Sequence, residues 1–193
     1  MNTKEIKKIL QKIELLVMDV DGTLTDGSMY YNEKGEDLKR FFVRDGMGIV
    51  LLRKAGIKTA IITSESSKIS VARAEKLKID YVLTGSNNKS QALENLANEL
   101  GLEVNEIAFI GDDVNDLHAI NVAGFSACPA DAAEIIKENV DHISEKDGGR
   151  GAVREIAEMI LKAKNKSIAS SRTSLIENSS PITFPKISFT DIL

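Results

Sequence analysis

Tryptophan is absent from this chain, cysteine occurs once, at Cys128, and histidine twice, at His118 and His142. A single thiol excludes an internal disulfide and a multi-cysteine zinc site, and two histidines supply too few ligands for a histidine-based metal centre. Cys128 and His118 are therefore expected as packing or surface residues. Proline is scarce, and two of the 3 residues, Pro181 and Pro185, lie near the carboxyl end. A basic excess is missing too: 25 Lys and Arg against 29 Asp and Glu leave a formal charge of −4, the wrong sign for holding a phosphate backbone. No nucleic-acid partner is expected. No apolar run approaches bilayer-spanning length, and Met1 to Lys12 is amphipathic and mixed in charge, unlike the apolar core of an export signal. A reducing, cytoplasmic setting without membrane contact is the simplest expectation.

What the chain does contain is ordinary for a globular protein, with 42% hydrophobic and 28% charged residues over 193 positions. That length fits one domain with a full core plus a tail. Short apolar runs predict strands at Leu15 to Val20, Lys58 to Thr63, Tyr81 to Leu83, Ile107 to Gly111 and Phe125 to Ala127. Helical patterns predict helices near Gly46 to Ala55, Ser67 to Leu77, Lys89 to Leu100, Val114 to Asn121, Ala132 to Glu138 and Ala152 to Ala163. Strands alternating with such helices argue for an α/β fold with a doubly wound parallel sheet. One interval breaks the rhythm. From Asp26 to Phe42, two short extended runs flank a turn at Gly35, the pattern of a β-hairpin placed to overhang whatever follows strand one. An isolated hairpin is marginal in water, so its aromatics should pack on something, a second subunit included. The domain is expected over 1–164. From 165 to 193 the chain is Ser-rich and aperiodic, expected to be disordered or ordered on a partner.

Chemistry concentrates at strand ends. Asp19 and Asp21, in DVDGTLTDG, follow the first apolar run; two residues apart, they leave the strand on one side and repel unless a cation or a proton relieves them. Thr63-Ser64-Glu65 follows the second run, Lys89 opens a helix after Gly85-Ser86-Asn87-Asn88, and Gly111-Asp112-Asp113-Val114-Asn115-Asp116 closes the fourth. Open α/β sheets bind ligands at the carboxyl ends of their strands, so these elements can meet along one edge. Carboxylates without histidine or thiolate form a hard-oxygen site suited to magnesium. Magnesium shares its coordination with phosphates, which points to phosphoryl chemistry with a carboxylate nucleophile and cationic clamps. Taken singly, Thr63 is an ordinary strand-end threonine and Lys89 a solvated helix-start lysine. Together, in this order, they are better read as one site.

DVDGTLTDG, Thr63, Lys89 and GDDVND match all four motifs of the haloacid dehalogenase-type phosphohydrolases, and the chain resembles that superfamily across Leu15 to Asp116. The resemblance implies Asp19 as the nucleophile that becomes an aspartyl phosphate and Asp21 as the general acid, then base. It further implies magnesium on Asp19, the Asp21 carbonyl and Asp112, supported by Asp113 or Asp116, with Thr63 and Lys89 on the phosphoryl group. The hairpin insertion leaves no room for a large cap. TDG, Phe41 to Gly48 (FFVRDGMG) and Gly148 to Glu155 (GGRGAVRE) resemble the capless 3-deoxy-octulosonate 8-phosphate phosphatases and their nonulosonate 9-phosphate relatives. That likeness implies a phosphorylated sugar acid as substrate, Arg44, Asp45 and Gly46 as substrate-binding positions, and a homotetramer joined through its hairpins.

One departure bears on the substrate. Where the octulosonate enzymes usually continue the threonine motif with Gly-Arg, this chain has Ser64-Glu65; the nine-carbon branch is similar in carrying glutamate there with the pattern Arg73-Ala74-Glu75-Lys76-Leu77. Arg73 and Lys76, oriented by Glu65, could replace the lost bidentate contact; an ordinary surface charge cluster is the competing reading. Two other classes stand against the enzyme. A receiver-type signalling module also combines a parallel sheet, a magnesium site, a threonine and a lysine, but places its acidic pair first and its lysine last. A catalytically silent module of the same fold should have lost the nucleophile, the acid or a metal ligand, and all are present.

Overall fold

The structure, a computed structural model, describes residues 3–166. Fifteen elements follow in chain order: α1 (Thr3–Leu10), β1 (Leu15–Met18), β2 (Tyr30–Asn32), β3 (Gly35–Leu38), α2 (Val43–Lys54), β4 (Lys58–Ile62), α3 (Lys68–Leu77), β5 (Tyr81–Leu83), α4 (Lys89–Leu100), β6 (Ile107–Ile110), α5 (Leu117–Val122), β7 (Phe125–Cys128), α6 (Glu134–Lys137), β8 (His142–Ile143) and α7 (Ala152–Ala163). Six strands form one sheet in the order β5-β4-β1-β6-β7-β8, every pair parallel. The expected doubly wound α/β sheet is what the chain forms. Because β4 and β5 extend to one side of β1 and β6 to the other, the winding reverses beside β1, where such sheets open a crevice.

Period-two alternation sorts the core onto the two faces. Leu16, Met18, Ile61, Ala108 and Ile110 pack with residues of α1, α2 and α7, whereas Leu15, Val17, Ala60, Ile62 and Phe109 pack with α4, α5 and α6. All four residues of β1 and of β6 are buried, as continuous apolar strands require. Helix ends follow local chemistry: Asn88 accepts the amide of Gln91 (3.1 Å) at the start of α4, and Gly101 ends it in the left-handed region.

Differences from expectation are local. β1 stops at Met18 because the Val20 carbonyl accepts the amides of Thr23, Leu24 and Thr25, which turns the chain immediately past the ladder. α2 begins at Val43, three residues before the expected Gly46, and the stretch expected as one helix over Val114 to Asn121 is a 3-10 turn (Val114–Asp116) continued by α5. β8 carries no apolar run and was not expected. The hairpin forms as β2 and β3, a separate two-stranded sheet, joined to the main body by a bridge between Thr25 and Phe41. Among the described residues no helix is long and apolar enough to cross a membrane. Of the expected tail, residues 167–193 lie outside the described residues.

Candidate active site

The four polar elements converge at the carboxyl edge of the sheet. The Asp19 amide makes the last ladder bond, to the Ile110 carbonyl (2.9 Å), so its side chain leaves at the end of β1 beside the end of β6. Lys89 comes from the first turn of α4, where the helix dipole disfavours a cation, and is held there by two carboxylates. Its Nζ donates to Asp19 Oδ1 (2.7 Å) and Asp116 Oδ1 (2.6 Å), with all three side chains buried. Asp116 Oδ2 accepts the amides of Asp112 (2.9 Å) and Asp113 (3.3 Å), shaping the turn after β6, and Asp112 Oδ1 accepts the Thr23 hydroxyl (3.0 Å). Gly22, at φ +90°, allows this approach: a Cβ there would lie 2.0 Å from Asp112 Oδ2.

Asp19, Asp112 and Asp116 each offer a carboxylate oxygen within 4.8 Å of the others. Burial, then the charge of Asp116, pushes the Asp19 carboxyl up to about 7 against the pull of Lys89. Burial, then Asp19 and Asp116, pushes Asp112 up to about 8. Lys89 is raised as well, because the two carboxylates outweigh the cost of its burial. One ammonium among three close carboxylates leaves negative charge in excess, and the donors are hard oxygens, so the site fits a divalent cation such as magnesium. Asp113 does not join this cluster. It is exposed, and its carboxylate accepts the neighbouring Val114 amide (2.7 Å) as a cap, so Asp116 rather than Asp113 completes the group.

Thr63 is buried at the end of β4, its amide on the Leu83 carbonyl (3.0 Å) and its hydroxyl oxygen accepting the Glu65 amide (3.3 Å). The hydroxyl proton stays available for an anion. Asp21 leaves the turn on the hairpin side. Its Oδ1 accepts from Lys39, while Oδ2 is buried without a protein partner. Lys39 also pairs with Glu36 (2.9 Å), and Glu36 accepts the Ser67 hydroxyl. Burial opposes the charge on Lys39, but hydrogen bonds with Asp21 and Glu36 more than offset it and raise its pKa. Sequence reasoning missed Lys39 and Thr23. A lone lysine at a hairpin end carries no motif, and Thr23 is legible only as part of DGT.

The other expected substrate residues separate. Asp45 is buried and caps α7, accepting the amides of Gly151 (3.2 Å) and Arg154 (2.8 Å); it ties α2 to α7. Gly46 is buried where a Cβ would meet Arg73 Nη2 at 2.7 Å, so its smallness admits the Arg73 side chain. Arg73 lies over the Phe41 ring, 5.5 Å from its centroid, with Nε buried and unpaired. Glu65 and Lys76 are exposed, and among the described residues no ion pair links either to Arg73. The proposed orientation of Arg73 and Lys76 by Glu65 is therefore not formed within this chain. Arg44 is exposed and lines a cavity of about 660 Å³ with Phe42, Lys146, Arg150 and Arg154. None of Asp19, Asp21, Thr63, Lys89 or Asp112 lines that cavity.

A family model described as haloacid dehalogenase-like hydrolase matches residues 52–156. The chain is 40% identical over 158 residues to the 3-deoxy-D-manno-octulosonate 8-phosphate phosphatase of Haemophilus influenzae, covering 82% of this chain and 88% of that one. Among solved structures, the enzyme of the same description from Moraxella catarrhalis, in complex with magnesium, phosphate and KDO, superposes with a TM-score of 0.86 at 42% identity, covering 90% of this chain and 99% of that one. The cobalt-bound deoxy-D-mannose-octulosonate 8-phosphate phosphatase of Haemophilus influenzae gives a TM-score of 0.83 at 38% identity over 86% and 99% of the two chains. Identity at this level across nearly the whole described body, together with the four converging motifs, means that the chain belongs to the haloacid dehalogenase-like hydrolases, within the 3-deoxy-D-manno-octulosonate 8-phosphate phosphatase family.

Proposed function

We propose that this chain is a magnesium-dependent phosphomonoesterase acting on a phosphorylated 3-deoxy-ulosonic acid, the eight-carbon 8-phosphate first, through an aspartyl phosphate on Asp19. The observation that carries the reading is the buried Lys89, which holds Asp19 and Asp116 together beside Asp112 at the sheet edge. Asp19 and Asp112, with the Asp21 carbonyl, would hold the cation, and Asp116 would brace them through Lys89 and the turn amides. Bound magnesium would supply charge neutralisation between the nucleophile and the phosphoryl oxygens.

The chain's own groups account for the rest. Asp19, unable to leave its place at the end of β1, attacks phosphorus from a fixed direction. The Thr63 hydroxyl and the Lys89 ammonium bind the phosphoryl oxygens as charge shifts onto them. Asp21 gives a proton to the departing sugar oxygen, then takes one from the water that hydrolyses the acyl phosphate. No cap follows β1 apart from the hairpin, so the site is open to a fairly large substrate and to water, which favours hydrolysis over shielded transfer.

The relatives support the eight-carbon acid. A specific observation favours the nine-carbon acid as second reading: Glu65 replaces the usual arginine, and Arg73 lies over the Phe41 ring at the base of the hairpin with an unpaired Nε. The exposure of Met29, Tyr30, Tyr31 and Leu38 on the hairpin supports assembly of several copies through it, a homotetramer in the first instance. The deciding experiment is phosphate release with magnesium from 3-deoxy-octulosonate 8-phosphate, nonulosonate 9-phosphates and hexose 6-phosphates. Preference for the eight-carbon acid is expected; preference for the nine-carbon acids would move Glu65 and Arg73 into substrate recognition, and turnover of none would leave a silent module.

A further inference from the structure

Outside the four motifs, one buried charge has no assigned task. Lys39 follows β3 at the base of the hairpin and is buried, its side chain 1% exposed. Burying an ammonium is costly unless carboxylates meet it, and here two do. Asp21 Oδ1 and Glu36 Oε1 both accept from it, while Glu36 Oε2 accepts the Ser67 hydroxyl. Ser67 in turn caps α3, the helix that follows Thr63, accepting the Ser70 amide (3.4 Å). Lys39 thus joins the turn after β1 to the hairpin, and Glu36 carries the contact on to the start of α3.

The effect falls on Asp21. Its Oδ1 is taken by Lys39 and its Oδ2 is buried with no protein partner. A buried carboxylate oxygen without a partner is rare and calls for one. A proton exchanged with a leaving oxygen would supply it. We propose that Lys39 is a positioning residue for Asp21: by holding Oδ1 it pins the carboxyl rotamer, presents Oδ2 to the leaving group and links that geometry to the seating of the hairpin. This rests on the reading of Asp21 as the general acid. The hairpin keeps other ties, Arg40 to Asp26 (2.6 Å) and the bridge between Thr25 and Phe41. Removing the Lys39 charge therefore leaves it seated.

The test uses the magnesium-loaded full chain and a series of phosphate monoesters, from p-nitrophenyl through phenyl to a simple alkyl phosphate. A poor leaving group needs the proton and a good one does not, so Lys39→Met should cost under about threefold on p-nitrophenyl phosphate and about 10- to 100-fold on the alkyl ester. Glu36→Gln, which loosens Lys39 without removing it, should tilt the series the same way by less. Adding Lys39→Met to Asp21→Asn should produce little further loss, since both act on one step. Equal loss on every ester, or none, overturns the proposal, and Glu36→Gln decides by the same criteria if Lys39→Met does not fold. If Asp21→Asn itself leaves the series untilted, the general-acid reading has failed. If Asp21→Asn tilts it and Lys39→Met does not, only the role of Lys39 has failed.

Discussion

The sheet edge and the hairpin beside it are held together on opposite terms. At the edge, Asp19, Thr63, Lys89 and Asp116 are nearly inaccessible, and Lys89 pairs with both Asp19 and Asp116. In the hairpin, all three residues of β2 are exposed, Tyr31 is 63% exposed, and the ties to the body are polar: Lys39 to Asp21, Glu36 to Ser67 and Arg40 to Asp26. Apolar burial gives the edge its position and leaves charges to fine placement. The hairpin has little to bury within one chain, so charges must place it and its aromatics face outward. The proposed nucleophile is thus fixed by burial, and the flank beside it is placed by charge.

The contrast breaks most visibly at the edge. Asp19→Asn keeps volume and fold but removes the proposed nucleophile, so turnover should drop by at least about three orders of magnitude; activity within tenfold of wild type would refute covalent catalysis by Asp19. Lys89→Met should be nearly as damaging and should also destabilise the protein by about 3–5 kcal/mol, because it strands buried Asp19 and Asp116 without their partner. Denaturant melts would check this, and a loss confined to activity would mean that the pair contributes nothing to the fold.

Two glycines give a sharper comparison. Gly22 (φ +90°) and Gly35 (φ +115°) share a backbone that L side chains rarely adopt, but a Cβ at Gly22 meets Asp112 whereas one at Gly35 meets nothing within 4 Å. Alanine at either should cost about 1–2 kcal/mol of strain. Only Gly22→Ala should also weaken magnesium binding and activity, since Asp112 must move; parallel losses in both variants would erase the distinction.

Solution pH separates the regions without mutation. In magnesium-free protein the raised carboxyls of Asp19 (about 7) and Asp112 (about 8) bind protons that the unfolded chain releases near 3.8. The stability linked to those protons is complete below the unfolded value and is lost as pH rises through the folded values. Magnesium replaces the protons, so the gap in Tm between magnesium and chelator should widen from about pH 5 to about pH 8. A gap that stays constant would place the cation elsewhere. The smallest effect on a single chain belongs to the hairpin surface: Tyr31→Ser should change Tm by little, within about 0.5 kcal/mol, yet shift sedimentation toward smaller species. Unchanged sedimentation would remove the hairpin from assembly.

Much of this was legible in the sequence because it is local. Apolar runs announced the five longer strands of the sheet, and the order of DVDGTLTDG, Thr63, Lys89 and GDDVND announced the edge where they meet. Asp45 and Gly46 were expected as substrate residues through the family resemblance of FFVRDGMG. Asp45 is buried against α7, more than a hundred residues further on, whose amides it caps, and Gly46 lies against Arg73 and Leu77 of α3. Lys39 drew no expectation, since no spacing motif relates it to Asp21 or to Glu36.

By itself the sequence determined the five longer strands, the helix order and which polar motifs follow the strands, because strand and helix periodicity and strand-end motifs are set within a few residues. Only the tertiary structure decided that Asp116 rather than Asp113 joins Asp19 and Asp112, that Asp45 is a helix cap, and that Lys39 holds Asp21. Each of those depends on which of two neighbouring carboxylates, or which distant amide, comes within about 3 Å, a distance that packing sets and sequence spacing does not.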